Sequence, residues 1–261
     1  MRMAKTEQQH REDIVRVGRL MYEQGWIASN DGNISIRLGS GHILVTPTGV
    51  RKGQLDPRDL IVCDPEGRKL SGERQPTTEM GMHVTIYRER DDVHAVVHAH
   101  CPTATGFAVA GRALNQGILP EAIVALGFIP LAEYGIPGTP ALCEGMLPYV
   151  GKYDAILLAN HGVVAYGDDV FKAYSRMETV EHVARITLVS ELLGGAKVLP
   201  RMEIEKLFAA RVRYGVESRN RFEPGAPLAA EDMPDPVEKI EMTREQLLSV
   251  IDEALRVRGV L

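Results

Sequence analysis

Between Glu12 and Trp26 the apolar residues Ile14, Val17, Leu20 and Met21 recur every three or four positions, the spacing of one face of an α-helix. The pattern stops at Gly25, where a helix can end. Short apolar runs follow: Ile34 to Leu38, Ile43 to Thr46 before Pro47, and Leu60 to Cys63. Turn residues separate them, first Asn30-Asp31-Gly32-Asn33, then Gly39 to Gly41, then Asp64-Pro65-Glu66-Gly67, so the runs read as strands. From Thr77 to Arg88, Met80, Val84 and Tyr87 return to helical spacing, with Thr77 or Thr78 available as a cap. Val93 to His100, Ala155 to Ala159 and Val163 to Tyr166 are runs rich in β-branched residues and predict three more strands, the last two flanking Asn160-His161-Gly162. Asp168 to Leu193 presents Ala173, Met177, Val180, Ala184 and Leu188 on one face, starts at Asp168 or Asp169 and ends at Gly194-Gly195, which predicts a long helix. Beyond Pro200 the composition changes: Glu217 to Pro236 holds four prolines, and Thr243 with Gln246 forms a capping box ahead of Leu247, Ile251 and Leu255. A domain over residues 1–200 and an extension over 201–261, with a proline-rich connection and a final helix, are expected.

Composition narrows the function. The 261 residues are 44% hydrophobic, enough for a sizeable α/β core. The net charge of -5 comes from interspersed acidic and basic residues with no basic stripe, so no nucleic-acid partner is expected. The polar N-terminus lacks the pattern of a secretory signal and no run reaches membrane-spanning length, which predicts a cytoplasmic protein without a membrane partner. Cys63, Cys101 and Cys143 form no CxxC pair and suit reduced, buried thiols.

Candidate chemistry is concentrated in histidines. Strand side chains alternate faces, so His98 and His100 point the same way, about 7 Å apart along the chain, and a divalent cation can sit between them. His161, in the break after an apolar strand, is the best candidate for a third ligand. His94 shares the parity of His98 but lies too far from His100 to join them, and reads as structural. Glu79 begins the helix after Pro76, where free N–H groups and the helix dipole favour a carboxylate, and it is the candidate acid/base. His83, four residues on, shares its helical face and reads as an orienting or packing residue. Gly32-Asn33-Ile34-Ser35, Thr46-Pro47-Thr48-Gly49 and Pro76-Thr77-Thr78 offer hydroxyls, an amide and backbone N–H groups of the kind that bind phosphate, and equally of the kind that make ordinary turns.

Taken together, GNIS at Gly32 to Ser35, TPTG at Thr46 to Gly49, PTTE at Pro76 to Glu79, VVHAH at Val96 to His100 and NHG at Asn160 to Gly162 resemble the class II aldolase/adducin family, in particular its L-fuculose-1-phosphate aldolase branch, over roughly residues 10 to 200. The resemblance implies a three-layer α/β/α fold with a mainly antiparallel central sheet, and a homotetramer with active sites near subunit interfaces. It implies Zn2+, or Mn2+, Co2+ or another divalent cation, on His98, His100 and His161, with Glu79 as acid/base within reach of the metal. Asn33, Thr48, Gly49, Thr77 and Thr78 would hold the phosphate of a phosphorylated sugar. The implied reaction is reversible cleavage of a ketose 1-phosphate, L-fuculose 1-phosphate or similar, to dihydroxyacetone phosphate and an aldehyde, through an enediolate. Departures concern the aldehyde end: Pro120 to Leu126 contains no tyrosine where the fuculose enzymes place one, and Tyr214 is the available counterpart of a C-terminal tyrosine. Threonines replace the paired serines of the phosphate loop and keep both hydroxyls. The alternatives within the family are a 4-epimerase, which would carry aspartate at position 79, a dehydratase or a decarboxylase. A non-catalytic adducin-like scaffold is the alternative of a different class.

Overall fold

The computed structural model describes residues 5–216 and 218–221; the helix expected after Thr243 lies outside them. Eight strands make one sheet: β1 Asn33–Arg37, β2 Ile43–Val45, β3 Ile61–Cys63, β4 Lys69–Ser71, β5 Ala95–Ala99, β6 Leu131–Ala132, β7 Ala155–Leu158 and β8 Gly162–Gly167. Their order is β4-β3-β2-β1-β5-β8-β7-β6, antiparallel throughout except for the parallel β6/β7 pair. The helices are α1 Glu7–Glu23, α2 Met80–Glu89, α3 Pro102–Val109, α4 Pro120–Ala125, α5 Pro140–Val150, α6 Val170–Leu192 and α7 Arg201–Ala210. The outer helices α1, α3 and α6 pack on one face of the sheet, while α2 and α5 pack on the other.

Because strand side chains alternate, the two faces build separate cores. Ile34, Ile36, Leu44, Val97, Ala99, Val163 and Ala165 face α1, α3 and α6. Ile43, Val45, Val96, Ile156, Leu158, Val164 and Tyr166 face α2 and α5. Covering an antiparallel sheet on both sides explains why its central strands read as unbroken apolar runs rather than alternating ones. It also assigns a side to the buried polar residues of these strands. Asn33 and Ser35 have the parity opposite to Ile34 and Ile36, and Asn33 pairs with His98 across β1/β5. All three therefore lie on the α2 side.

Element boundaries follow local chemistry. The first helix starts at Glu7 rather than near Glu12 because Thr6 and Gln9 form a capping box, with Thr6 Oγ1 accepting the Gln9 N–H at 3.3 Å and Gln9 Oε1 accepting the Thr6 N–H at 2.8 Å. An exposed first turn with such a cap needs no apolar face. In α6 Asp169 caps, accepting N–H groups of Phe171 and Lys172 at 2.8 and 2.9 Å. Glu79, not a threonine, takes the N-cap position of α2. Helices α3, α4 and α5 have no counterpart in the periodicity: each begins with proline, which suits a first helical turn but reads as a break, and α5 carries Pro148 internally. Strand β4 is exposed along its length and β6 has two residues, too little for a pattern.

Helix α7 packs Ile204 against Ile123 and Phe128, and the chain beyond it is tied back to the α4 region. Arg211 Nε donates to the Ile123 carbonyl at 3.0 Å, and Asn220 Nδ2 donates to the carbonyls of Leu126 and Phe128 at 3.1 and 2.8 Å. Asp154 holds the same segment from another side. Its fully buried carboxylate meets Arg90 Nη2 at 2.8 Å and Arg176 Nη2 at 3.0 Å, and accepts the Ser218 hydroxyl at 2.5 Å. Removing it takes their shared carboxylate from two buried guanidinium groups, of which Arg90 keeps Asp92 at 2.8 Å, so Asp154→Ala is expected to lower stability by about 3 kcal/mol, the low end for a broken buried pair. The urea midpoint at unchanged slope measures this, and a loss below about 1 kcal/mol would mean that the arginines find other partners. Among the described residues no helix is long and apolar enough to cross a membrane.

Candidate active site

Three histidines meet at the end of β5 on the α2 side. His98 is fully buried, His100 lies just past the strand, and His161 sits in the β7–β8 turn. Their ligand nitrogens lie within 4.8 Å of one another. The Nε2 atoms of His98 and His100 are 3.2 Å apart. Tetrahedral ligands about 2.1 Å from a zinc ion would stand roughly 3.4 Å apart, so the spacing fits a divalent cation without rearrangement of the strand. The tautomer fits as well: His98 Nδ1 donates to the Val163 carbonyl at 2.9 Å, which leaves the Nε2 lone pair facing the cluster. Burial, opposed by Glu79, lowers His98 to about 3, so this imidazole is neutral at neutral pH, as a metal ligand must be. His100 is also lowered, first by burial and then by His161. Asp31 Oδ2 lies 3.6 Å from His100 Nδ1, an electrostatic contact rather than a hydrogen bond.

Two glycines let the loops close on the cluster. A Cβ at Gly162 would stand 2.6 Å from the Ala99 carbonyl oxygen and 2.7 Å from His100 Cδ2. Gly32, at φ +69°, would place one 2.7 Å from the His98 carbonyl oxygen. Between them, Asn160 adopts φ 54°, a left-handed turn that brings His161 beside the other two.

Glu79 reaches the same point from the start of α2. Its Oε1 lies 3.1 Å from His161 Nε2 and its Oε2 lies 3.3 Å from His98 Nε2, while Asn33 Nδ2 donates to Oε2 at 2.8 Å. Burial alone would raise this carboxyl, but His98, His161 and the Asn33 amide outweigh it and hold Glu79 well below the usual carboxylate range. Glu79 Oε1 and His161 Nδ1 are buried without a hydrogen-bond partner among the described residues, and Oε1 borders the space a cation would share with the histidines. A cleft of about 390 Å³ between α2 and α5 opens on Glu79, lined among others by Met82, Thr85, Arg88, Thr139 and Leu142.

The two threonine-bearing loops run side by side into the start of α2. Thr48 N–H donates to Gln75 O at 3.1 Å, and Thr77 N–H donates to Thr46 O at 3.2 Å. Thr48, Gly49 and Thr78 are exposed, whereas Thr77 is buried and its hydroxyl accepts the Glu79 N–H at 3.3 Å. Asn33 and Ser35 face inward: Asn33 binds Glu79 and His83, and Ser35 binds His83 and Tyr87. His94 is exposed at the opposite end of β5, and Tyr214 is exposed after α7. The polar surroundings hold residues that the pattern does not single out. Asp31 lies in a turn that reads as loop, and the spacing of Tyr87 reads as part of an apolar face. Lys52 is buried with Nζ donating to the Asn30 carbonyl at 2.6 Å, and desolvation lowers it to about 8 against Asp31 and Glu79; no sequence signal marks it.

The chain is similar to known proteins in both sequence and fold. The model of the class II aldolase and adducin N-terminal domain matches residues 12–188. A 5-deoxy-D-ribulose 1-phosphate aldolase of Bacillus thuringiensis is 32% identical over 213 residues, covering 80% of this chain and 98% of its own. A 3-oxo-tetronate 4-phosphate decarboxylase of Escherichia coli is 31% identical over 190 residues, 71% of this chain and 89% of its own. Among solved structures, an L-fuculose 1-phosphate aldolase superposes with a TM-score of 0.74 at 28% identity, covering 82% of this chain and 98% of its own. The three-layer arrangement around a mixed sheet, the ordered motifs and these matches agree, and the chain belongs to the class II aldolase and adducin family.

Proposed function

We propose that the protein is a divalent-metal-dependent aldehyde-lyase that reversibly cleaves a ketose 1-phosphate to dihydroxyacetone phosphate and an aldehyde. The observation that carries this reading is the buried Glu79 carboxylate, within 3.3 Å of two of three converging histidines. His98, His100 and His161, with Glu79 in reach, would hold the ion. A cation there would supply Lewis acidity, stabilising the negative charge that carbon–carbon cleavage leaves on the ketone fragment. Glu79 does the proton work: as a carboxylate it removes a proton from the carbon beside the carbonyl of dihydroxyacetone phosphate in the synthetic direction, and returns it in cleavage. Asn33 fixes one of its oxygens while the other stays turned to the histidines. Asn33, Thr48, Gly49, Thr77 and Thr78 form the phosphate end. In that set Thr48, Gly49 and Thr78 are the surface members, beside the α2 N-terminus, where backbone N–H groups and the helix dipole favour an anion.

Decarboxylation of a 3-oxo acid phosphate is the second reading, favoured by the similarity to the Escherichia coli decarboxylase. It breaks a carbon–carbon bond with the same charge left beside a carbonyl. Incubating the metal-loaded protein with a panel of ketose 1-phosphates is expected to release dihydroxyacetone phosphate from at least one. Bound metal with no ketose cleaved, but carbon dioxide released from a 3-oxo acid phosphate, would replace the first reading by the second. We further propose a homotetramer of zinc-loaded subunits. The apolar side chains Val189, Leu192 and Leu193 near the end of α6, 54%, 79% and 83% exposed, support an assembly contact.

A further inference from the structure

Behind Glu79 a line of buried polar side chains crosses from α2 to β1 and back. Tyr87 Oη and Ser35 Oγ are 2.7 Å apart, and Ser35 Oγ and His83 Nδ1 are also 2.7 Å apart. His83 Nε2 then meets Asn33 Oδ1, and Asn33 Nδ2 meets Glu79 Oε2 at 2.8 Å. Ser35 and His83 are fully buried, and Asn33 and Tyr87 are 3% and 5% exposed, so no solvent competes for these bonds.

The chemistry of the groups sets the direction of every bond. A carboxylate only accepts, so Asn33 must present its N–H to Glu79 and its carbonyl oxygen to His83. His83 Nε2 must then carry the ring proton. Burial lowers His83 to about 4, so the ring is neutral and Nδ1 accepts. Ser35 therefore donates to Nδ1, and its remaining lone pair takes the Tyr87 hydroxyl. Reversing any member would set two donors or two acceptors face to face at the next.

We propose that His83 is a positioning residue, which through Asn33 holds the Glu79 carboxylate with one oxygen pinned and the other turned to the histidine cluster. The proposal rests on the reading of Glu79 as the acid/base. Without the ring N–H, the Asn33 amide is free to rotate and set its oxygen against the carboxylate. Glu79 then loses its fixed orientation although every residue that touches substrate is still present.

Two substitutions of similar polarity separate this role from mere packing. Gln at position 83 can place an N–H where His83 Nε2 stands and so serve Asn33; Asn is one methylene shorter and reaches only the Ser35 side. We expect His83→Gln to keep kcat within about fivefold of wild type and His83→Asn to lose it about 100-fold, each with KM within about threefold and with unchanged metal content. 15N spectra of the uniformly labelled, zinc-loaded protein read the same feature without turnover: His83 is expected as the neutral ring protonated on Nε2, and the Asn33 side-chain amide resonances should move in His83→Asn but not in His83→Gln. If His83→Asn fails to fold, Ser35→Ala takes its place: Asn33 still holds the ring proton on Nε2, so the tautomer and the Asn33 resonances should persist and kcat should stay within about fivefold. A wild-type His83 protonated on Nδ1 would overturn the proposal, as would equal kcat losses in the Gln and Asn variants, or a switch of His83 to the Nδ1–H tautomer in Ser35→Ala. Failure of the aldolase reading would appear separately, as a wild-type protein that cleaves no ketose phosphate while its spectra still report the Nε2–H tautomer.

Discussion

Replacing His98 by alanine is expected to abolish metal binding and turnover together. Among the three converging histidines His98 is the one whose ring is fully fixed: it is completely buried, its Nδ1–H is spent on the Val163 carbonyl, and its Nε2 lies within 3.2 Å of His100 Nε2 and 3.3 Å of Glu79 Oε2. Alanine removes a ligand and opens a cavity on the floor of the site, and His100 and His161 alone cannot enclose an ion. Mutating a mere outer partner of a metal ligand costs roughly 10–100-fold in affinity or activity, so loss of the ligand itself should exceed that range. Elemental analysis of purified wild-type and variant protein, paired with the ketose phosphate assay, measures both effects. Equal metal content in the two proteins would remove His98 from the ligand set.

Glu79→Gln separates the two functions that His98→Ala loses together. Gln has the size of Glu and can still accept the Asn33 N–H with its oxygen, which turns its amide nitrogen toward His161. The fold and the histidines are undisturbed, so the metal should be retained at least in part. What disappears is the group that takes and returns a proton, and general acid/base catalysis contributes on the order of 10²–10⁴ in rate. We expect kcat to fall by that factor. Exchange of solvent deuterium into dihydroxyacetone phosphate, which needs proton removal but no aldehyde, should fall in parallel. A variant that keeps exchange at the wild-type rate would show that another group is the base.

Most of this site was legible because strand alternation and motif order are local properties. Spacing alone put His98 and His100 on one face, and the turn residues around His161 marked it as the end of a strand. The threonine loops are a different case. Their sequences suggested phosphate chemistry, yet only the pairing of Thr48 with Gln75 and of Thr77 with Thr46 brings them together at the start of α2. Asn33 reads as part of the turn before it, since a polar residue after Gly32 looks like loop, while Ser35 falls inside the strand run from Ile34 to Leu38, which leaves its face open. Their burial opposite α2 depends on both faces of the sheet being covered, which no window of sequence contains. Three of the missed helices share one cause: Pro102, Pro120 and Pro140 each open a helix whose residues are too small or too uniformly apolar to show a 3.6-residue rhythm, whereas α7 falls just past Pro200 where the composition reads as a connection.

The buried polar row along β1 and β5 also bears on how the sheet finds its pairing. Long apolar strands buried on both sides carry little information about alignment, because sliding one by a single residue exchanges one greasy surface for another. Here such a slip would turn Asn33, Ser35 and His98 into the predominantly apolar core beneath α1 and α6, away from the partners they have, and would strand His83 and Glu79 on α2. The residues that would do chemistry in the finished protein thus penalise misaligned sheets while the chain is still folding.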